Sequence, residues 1–315
     1  MLDKIAATFG AVIHTLTQGN IEMSENRSTT DLKETGERLL TEQYSDTTLE
    51  HLHRYALAVH LSEDKDVLDI ASGEGYGSNL LASTAKSVVG VDIAEDAVLH
   101  AQQKYQKSNL AYRQGPADNI PVDSGAVDVV VSFETIEHHD RHDEMLSEIK
   151  RVLRDDGLLI MSTPDKRYYT DLPQSKNPFH VKELYLEEFR SLIKSHFANV
   201  NLLLQKISYG SLVIPESKSQ GFVMYSGDHC NIHSCASLPQ AVYAICVASN
   251  GRLPITYPSF WDGLQLLRSG IVSQLDSKQN QIIGIEHELK ALRNSWSFRI
   301  GRALTWAGRS VLHRD

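Results

Sequence analysis

Four groups of residues could do chemistry. In VLDIASGEGYG, residues 67–77, an apolar run holding one acid, Asp69, leads into glycines at Gly73, Gly75 and Gly77. Glycine lacks a Cβ, so a ligand can lie close to the main chain of such a turn. A dinucleotide pyrophosphate calls for G-x-G-x-x-G at a helix start, and the G-x-G-x-G spacing here disfavours a nicotinamide oxidoreductase. The second group is Glu134-Thr135-Ile136-Glu137-His138-His139. Histidine exchanges a proton near neutral pH, and two carboxylates with an imidazole could also hold a hard cation. The third is His180 in NPFHVKELYLEEFRSLI, residues 177–193, which follows Tyr168 and Tyr169; loop aromatics of this kind either stack on sugar rings or pack the loop. The fourth puts His229, Cys230, His233 and Cys235 within seven residues. Their spacing fits no structural zinc pattern, so they read as loop residues and no metal is assigned.

These groups need elements to position them. The chain has 315 residues, 41% hydrophobic content and a formal net charge of -9. That is enough apolar material for a core, which excludes disorder of the whole chain, and it gives no general attraction for nucleic acid. Three cysteines, no secretory leader pattern and no apolar run of spanning length lead to the expectation of a cytoplasmic protein. Residues 21–50 are polar and read as a lead-in or lid, with the first helix near 51–61. Apolar β-branched runs then recur at 66–70, 87–92, 127–133 and 158–163, separated by helical patterns at 78–84, 94–105 and 143–153. Such alternation implies an α/β fold with a parallel sheet covered on both faces, where ligands gather at the carboxyl ends of the strands. A helix over 184–197 and strands over 199–204 and 241–249 follow, with 205–240 read as an irregular insertion.

The order hydrophobic-hydrophobic-acid-hydrophobic-small-x-Gly-x-Gly resembles motif I of the class I S-adenosylmethionine-dependent methyltransferases, and the resemblance runs over about residues 50–205. It implies a Rossmann-like, mostly parallel seven-stranded sheet and S-adenosylmethionine as cofactor. The glycines would then admit the amino-acid and ribose portions. Asp92, ending its strand nineteen residues after Gly73, is placed to accept from both ribose hydroxyls, as an acid does there in the family. The resemblance gives Asp69 the methionyl end, with a purely structural role as the alternative. Residues 114–121, QGPADNIP, look like the family's adenine loop, but Pro116 stands where the family has its acid, so Asp118 and the Ala117 amide are the substitutes.

In related enzymes the strand end at Glu134 faces the methyl group. His138 is therefore one candidate base, with hydrogen bonding across the sheet end as its other reading. Glu134-x-x-Glu137-His138 also resembles a motif of ubiquinone-pathway O-methyltransferases that is associated with a divalent ion. His180 is the preferred base, because its sequence resembles methyltransferases of bacterial surface-polysaccharide assembly. The expectation is an O-methyltransferase acting on a sugar or glycan hydroxyl. A ubiquinone- or polyketide-type small-molecule enzyme is one alternative, and a non-catalytic scaffold is the other. Beyond residue 258 a 4-3 apolar spacing from Leu264 to Trp296, broken by Arg268 and Lys278, reads as a coiled coil of roughly 50 Å that self-associates. The basic, aromatic residues 297–315 read either as a peripheral contact with the inner membrane face or as a tail docking on a partner. The resulting division is 1–50 lead-in, 51–258 methyltransferase domain, 263–296 coiled coil and 297–315 tail.

Overall fold

The structure, a computed structural model, describes residues 39, 41, 45–208, 223–227 and 232–294. Seven strands form the main sheet: β1 (Asp66–Ile70), β2 (Ser87–Asp92), β3 (Leu110–Gln114), β4 (Val127–Ser132), β5 (Leu153–Pro164), β6 (Asn199–Gln205) and β9 (Tyr243–Ser249). Their order is β3-β2-β1-β4-β5-β9-β6, and β9 alone runs antiparallel, between β5 and β6. This is the Rossmann-like, mostly parallel arrangement that the motif I resemblance implies. The apolar runs explain it: β1, β4 and β9 are buried along nearly their whole length, as strands covered on both faces must be.

Helices α1 (Asp46–Leu61), α2 (Tyr76–Leu81), α3 (Glu95–Lys104), α4 (His142–Val152) and α5 (Leu186–His196) cover the sheet. In α4, Met145, Leu146, Ile149 and Val152 recur at helical spacing and are all fully buried, in one core with Leu68, Val130 and Phe189. The opposite face carries a second core in which Tyr55 and Ala58 of α1 pack on Val129, Val131 and Ile160. A Cβ at Gly77 would lie 1.9 Å from the Tyr55 ring, so this core depends on a bare position in α2. Gly77→Ala is expected to cost about 1–3 kcal/mol through overpacking. Urea unfolding checks this, and an unchanged midpoint would show that the Tyr55 ring gives way.

The structure differs from the sequence expectations in three places. Helix α1 begins at Asp46, where Ser45 caps it with a reciprocal Ser45–Thr48 box, five residues before the expected start. Strand β3 was not expected; it is an edge strand with one buried side chain, Tyr112, so it carries no apolar run. The insertion 205–240, read as irregular, contains the antiparallel pair β7 (Met224–Gly227) and β8 (Ile232–Cys235). Helix α6 (Leu264–Asn294) has 31 residues, and its seam side chains Leu275, Ile282, Ile285 and Leu289 are exposed. Trp296, the basic tail, His229 and Cys230 lie outside the described residues, while His233 and Cys235 are exposed.

Candidate functional site

A cavity of about 260 Å³ opens at the carboxyl ends of β1 and β4. It lies where the order of strands reverses, the position at which open α/β sheets bind ligands. Two non-glycine residues on its wall have left-handed backbones, Ala71 (φ 58°), directly beyond β1, and Glu134 (φ 50°), two residues beyond β4. Such conformations cost roughly 1–2 kcal/mol and concentrate at ligand sites.

The loop after β1 forms one wall through Ala71, Ser72, Gly73 and Glu74. Asp92 holds this loop in place: its Oδ2 accepts from the Gly73 N–H at 2.8 Å, and its Oδ1 accepts from the Ala94 N–H at 2.9 Å. The carboxylate thus joins the first turn to the end of β2; it is itself buried and does not line the cavity. The exposed side chain of Ile93 follows it, 69% accessible, an apolar face that the sequence reading missed. Glu74 was also missed. It is buried on the cavity wall, where it accepts from the Tyr105 hydroxyl at 2.8 Å and pairs with Lys104, and Thr41 donates to it.

Four expected ligand contacts take a different form. Asp69 is fully buried beneath the loop and does not line the cavity; Ser78 donates to it at 2.7 Å and the Tyr55 hydroxyl at 3.3 Å. Here it ties α2 and α1 to β1. Gly75, at φ 97°, admits Tyr112 and Ala101, whose atoms would lie 2.9 and 2.6 Å from a Cβ, and Gly77 admits Tyr55. Only Gly73 of the three glycines lines the cavity. Asp118 is engaged in an ion pair with Arg141 beside the half-buried Ala117, so a ligand amine must share that carboxylate.

Burial pushes the Asp69 carboxyl from its ordinary value near 3.8 up to about 7, against the Ser78 and Tyr55 hydrogen bonds that favour the anion. A raised folded-state value means that the folded protein binds the proton more tightly than the unfolded chain. The associated stability is present below pH 4 and is lost as pH rises to about 7. The stability advantage of the wild type over Asp69→Asn is therefore expected to shrink by on the order of 1 kcal/mol or more between pH 5 and pH 8. Denaturant titrations at the two pH values check this, and equal differences would refute it.

The other wall is formed by Glu134, Glu137, His138, Tyr169, Asn177, His180 and Tyr243. His138 and His180 stand edge to face with centroids 5.1 Å apart, although 42 residues separate them in sequence. The Val181 and Lys182 amides, which donate to the Glu137 carbonyl at 2.9 and 3.0 Å, hold the two segments together. The tautomers follow from the partners. His138 Nδ1 faces the Phe179 carbonyl at 3.2 Å and must donate, which leaves the lone pair on Nε2. Asn177 Oδ1 accepts from the Phe179 N–H, so its Nδ2 is the atom 3.0 Å from His180 Nε2. His180 Nε2 therefore accepts, and Nδ1–H donates to Glu183 at 2.6 Å. To act as a base, His180 must first exchange its bond to Asn177. Tyr169 lays its ring against His180 at 5.2 Å and 23°, so that face serves the histidine rather than a sugar.

Glu134 and Glu137 have different partners. Glu134 accepts from the Ser162 hydroxyl at 2.6 Å and pairs with Arg54 at 3.1 Å. Glu137 is buried, and this burial followed by the Glu134 charge pushes its carboxyl well above the usual range.

The methyltransferase-domain family model matches residues 68–161. A probable S-adenosylmethionine-dependent methyltransferase of Mycolicibacterium smegmatis is 36% identical over 144 residues, which are 45% of this chain and 54% of that protein. A protein of the same description from Mycobacterium tuberculosis is 39% identical over 132 residues, 41% of this chain and 47% of that one. A fatty-acid O-methyltransferase of Mycolicibacterium smegmatis is 28% identical over 134 residues, 40% of this chain and 48% of that protein. The chain spans about half the length of the curated relatives it matches.

Proposed function

We propose that this chain, whose residues 68–161 match the methyltransferase-domain family model, transfers a methyl group from S-adenosylmethionine to an acceptor hydroxyl. The observation that carries this reading is the Asp92 carboxylate, which pins the glycine turn at a strand-order reversal. In this reading Gly73 lies under the amino-acid portion, and Ile93 with the Ala117 amide flanks the adenine.

Methyl transfer from a sulfonium is an in-line displacement: the acceptor oxygen forms a bond to the methyl carbon as the carbon–sulfur bond breaks, and the hydroxyl proton leaves. The protein's tasks are alignment and removal of that proton. His138 and His180 border the acceptor, each with its Nδ1 proton donated elsewhere, and they share the second task. Alanine at either position is expected to lower kcat by about tenfold or more, and rates within a factor of two of wild type at both would remove the assignment.

The polar wall of Glu134, His138, Asn177 and His180 supports a sugar or glycan acceptor. A second reading, a lipid acceptor, draws support from Phe179 and Val181, exposed beside His138 and His180, and from the fatty-acid relative. Incubation of cell-envelope extract with methyl-labelled cofactor separates the two. Label in the water-soluble glycan fraction supports the first, label in the organic fraction the second, and label in neither contradicts both. Self-association through the exposed seam of α6 and a membrane or partner contact through the basic tail belong to the same proposal.

A further inference from the structure

We propose that Glu137, His138 and His180 form a divalent-metal site of the two-histidine, one-carboxylate kind on the acceptor wall of the cavity. The site deepens the O-methyltransferase reading, and its occupancy can be measured independently of that reading. One donor atom from each residue lies within 4.8 Å of the other two. A metal-bound histidine characteristically donates its second ring N–H to a carbonyl or carboxylate, which fixes the ring and keeps the ligating nitrogen unprotonated. Both histidines here are held in that way, His138 by the Phe179 carbonyl and His180 by Glu183.

The carboxylate supplies a second, independent observation. Glu137 is 1% exposed, its Oε2 accepts from Thr163 at 3.3 Å, and its Oε1 has no hydrogen-bond partner. A cation would satisfy that oxygen. Glu134, its neighbour in the sequence motif, is held away by Ser162 and Arg54, so the third ligand comes from the loop before α5 instead. Binding requires the donors to close to roughly 3–3.5 Å from one another around an ion at about 2.1 Å, and His180 Nε2 to exchange Asn177 for the metal. Two imidazoles and one carboxylate favour Mn²⁺, Fe²⁺, Co²⁺ or Zn²⁺ over the all-oxygen ions Mg²⁺ and Ca²⁺. A cation there supplies Lewis acidity to an acceptor oxygen, the proton of which then leaves more readily; with both Nε2 lone pairs on the ion, this Lewis acidity takes the place of proton removal by the histidines themselves.

Co²⁺ is the probe, titrated into the metal-free full chain and read by visible absorbance and calorimetry. The expected result is one equivalent bound per chain, with affinity falling about 10- to 100-fold in His180→Ala, His138→Ala and Glu137→Gln. His138 is only half-buried and Glu137→Gln keeps its shape, so thermal melts of these two report whether the fold is retained. No uptake by the wild type, or uptake that all three variants leave unchanged, would overturn the site. If the histidine variants lose methyl transfer while the wild type takes up no Co²⁺, the metal site falls and the proton-removal role stands. If uptake is lost in the variants while no methyl transfer is found with any extract, the site stands and the O-methyltransferase reading falls.

Discussion

Replacing Arg54 with alanine is expected to lower the unfolding free energy by about 3–5 kcal/mol, the cost of leaving a buried charge without its counterpart. The Arg54 side chain is fully inaccessible, and it joins α1 to β6, to β9 and to the loop after β4. Its Nε donates to Gln205 Oε1 at 2.7 Å, its Nη1 lies 3.1 Å from Glu134 Oε1, and its guanidinium lies 4.3 Å from the centre of the Tyr243 ring. The contact with Glu134 is chiefly charge against charge, because Nη1 does not meet hydrogen-bond geometry there. Burial also pushes the nearby Glu50 carboxyl up to about 7, with the Arg54 charge opposing the shift. Without Arg54, both acids face a less favourable interior. A double variant, Arg54→Met with Glu134→Gln, is expected to recover more than half of the loss, since a neutral pair avoids the unpaired charge. Chemical denaturation of Arg54→Met, Glu134→Gln and the double variant completes the cycle, and additive losses would show that the ion pair contributes nothing.

The second large effect concerns the cofactor wall. Asp92→Ala is expected to weaken binding of S-adenosylhomocysteine by about 100-fold or more. Hydrogen bonds to a charged group contribute about 1.5–3 kcal/mol each, and a tenfold change in affinity corresponds to 1.4 kcal/mol. The alanine loses any ribose hydroxyls as well as the bonds to the Gly73 and Ala94 amides that set the wall. Asp92→Asn keeps the shape, though only one of its side-chain positions can accept, and should fall between the two. Calorimetric titration of the three proteins tests the order, and an affinity for Asp92→Ala within threefold of wild type would contradict it.

Much of the frame was legible because burial on both faces forces continuous apolar runs. β1, β2, β4, β5 and β9 could all be placed from such runs, and the edge strand β6 from its own apolar stretch, Leu202 to Leu204, although its side chains are mostly half-buried. β3 could not, because an edge strand with one buried tyrosine has no such pattern. The glycine turn and Asp92 were found, but spacing alone does not show which way each glycine faces. Gly75 and Gly77 accommodate protein rings, and only the packing of Tyr112 and Tyr55 reveals it. The acceptor wall was the least legible part. The motif Glu134-x-x-Glu137-His138 places two acids three residues apart, whereas a left-handed backbone at Glu134 and the pull of Arg54 send them to different partners. The meeting of His138 with His180 depends on amide bonds from Val181 and Lys182 to a single carbonyl, a tertiary contact with no local signal.

The most direct measurement of the central claim, that the turn at Gly73 seats an adenosyl amino acid rather than a dinucleotide, is a paired calorimetric titration. Purified protein is titrated with S-adenosylhomocysteine and, separately, with NAD⁺. A single saturable site for the first and no saturable heat for the second is the expected result. Saturable binding of NAD⁺ with no response to S-adenosylhomocysteine would contradict it.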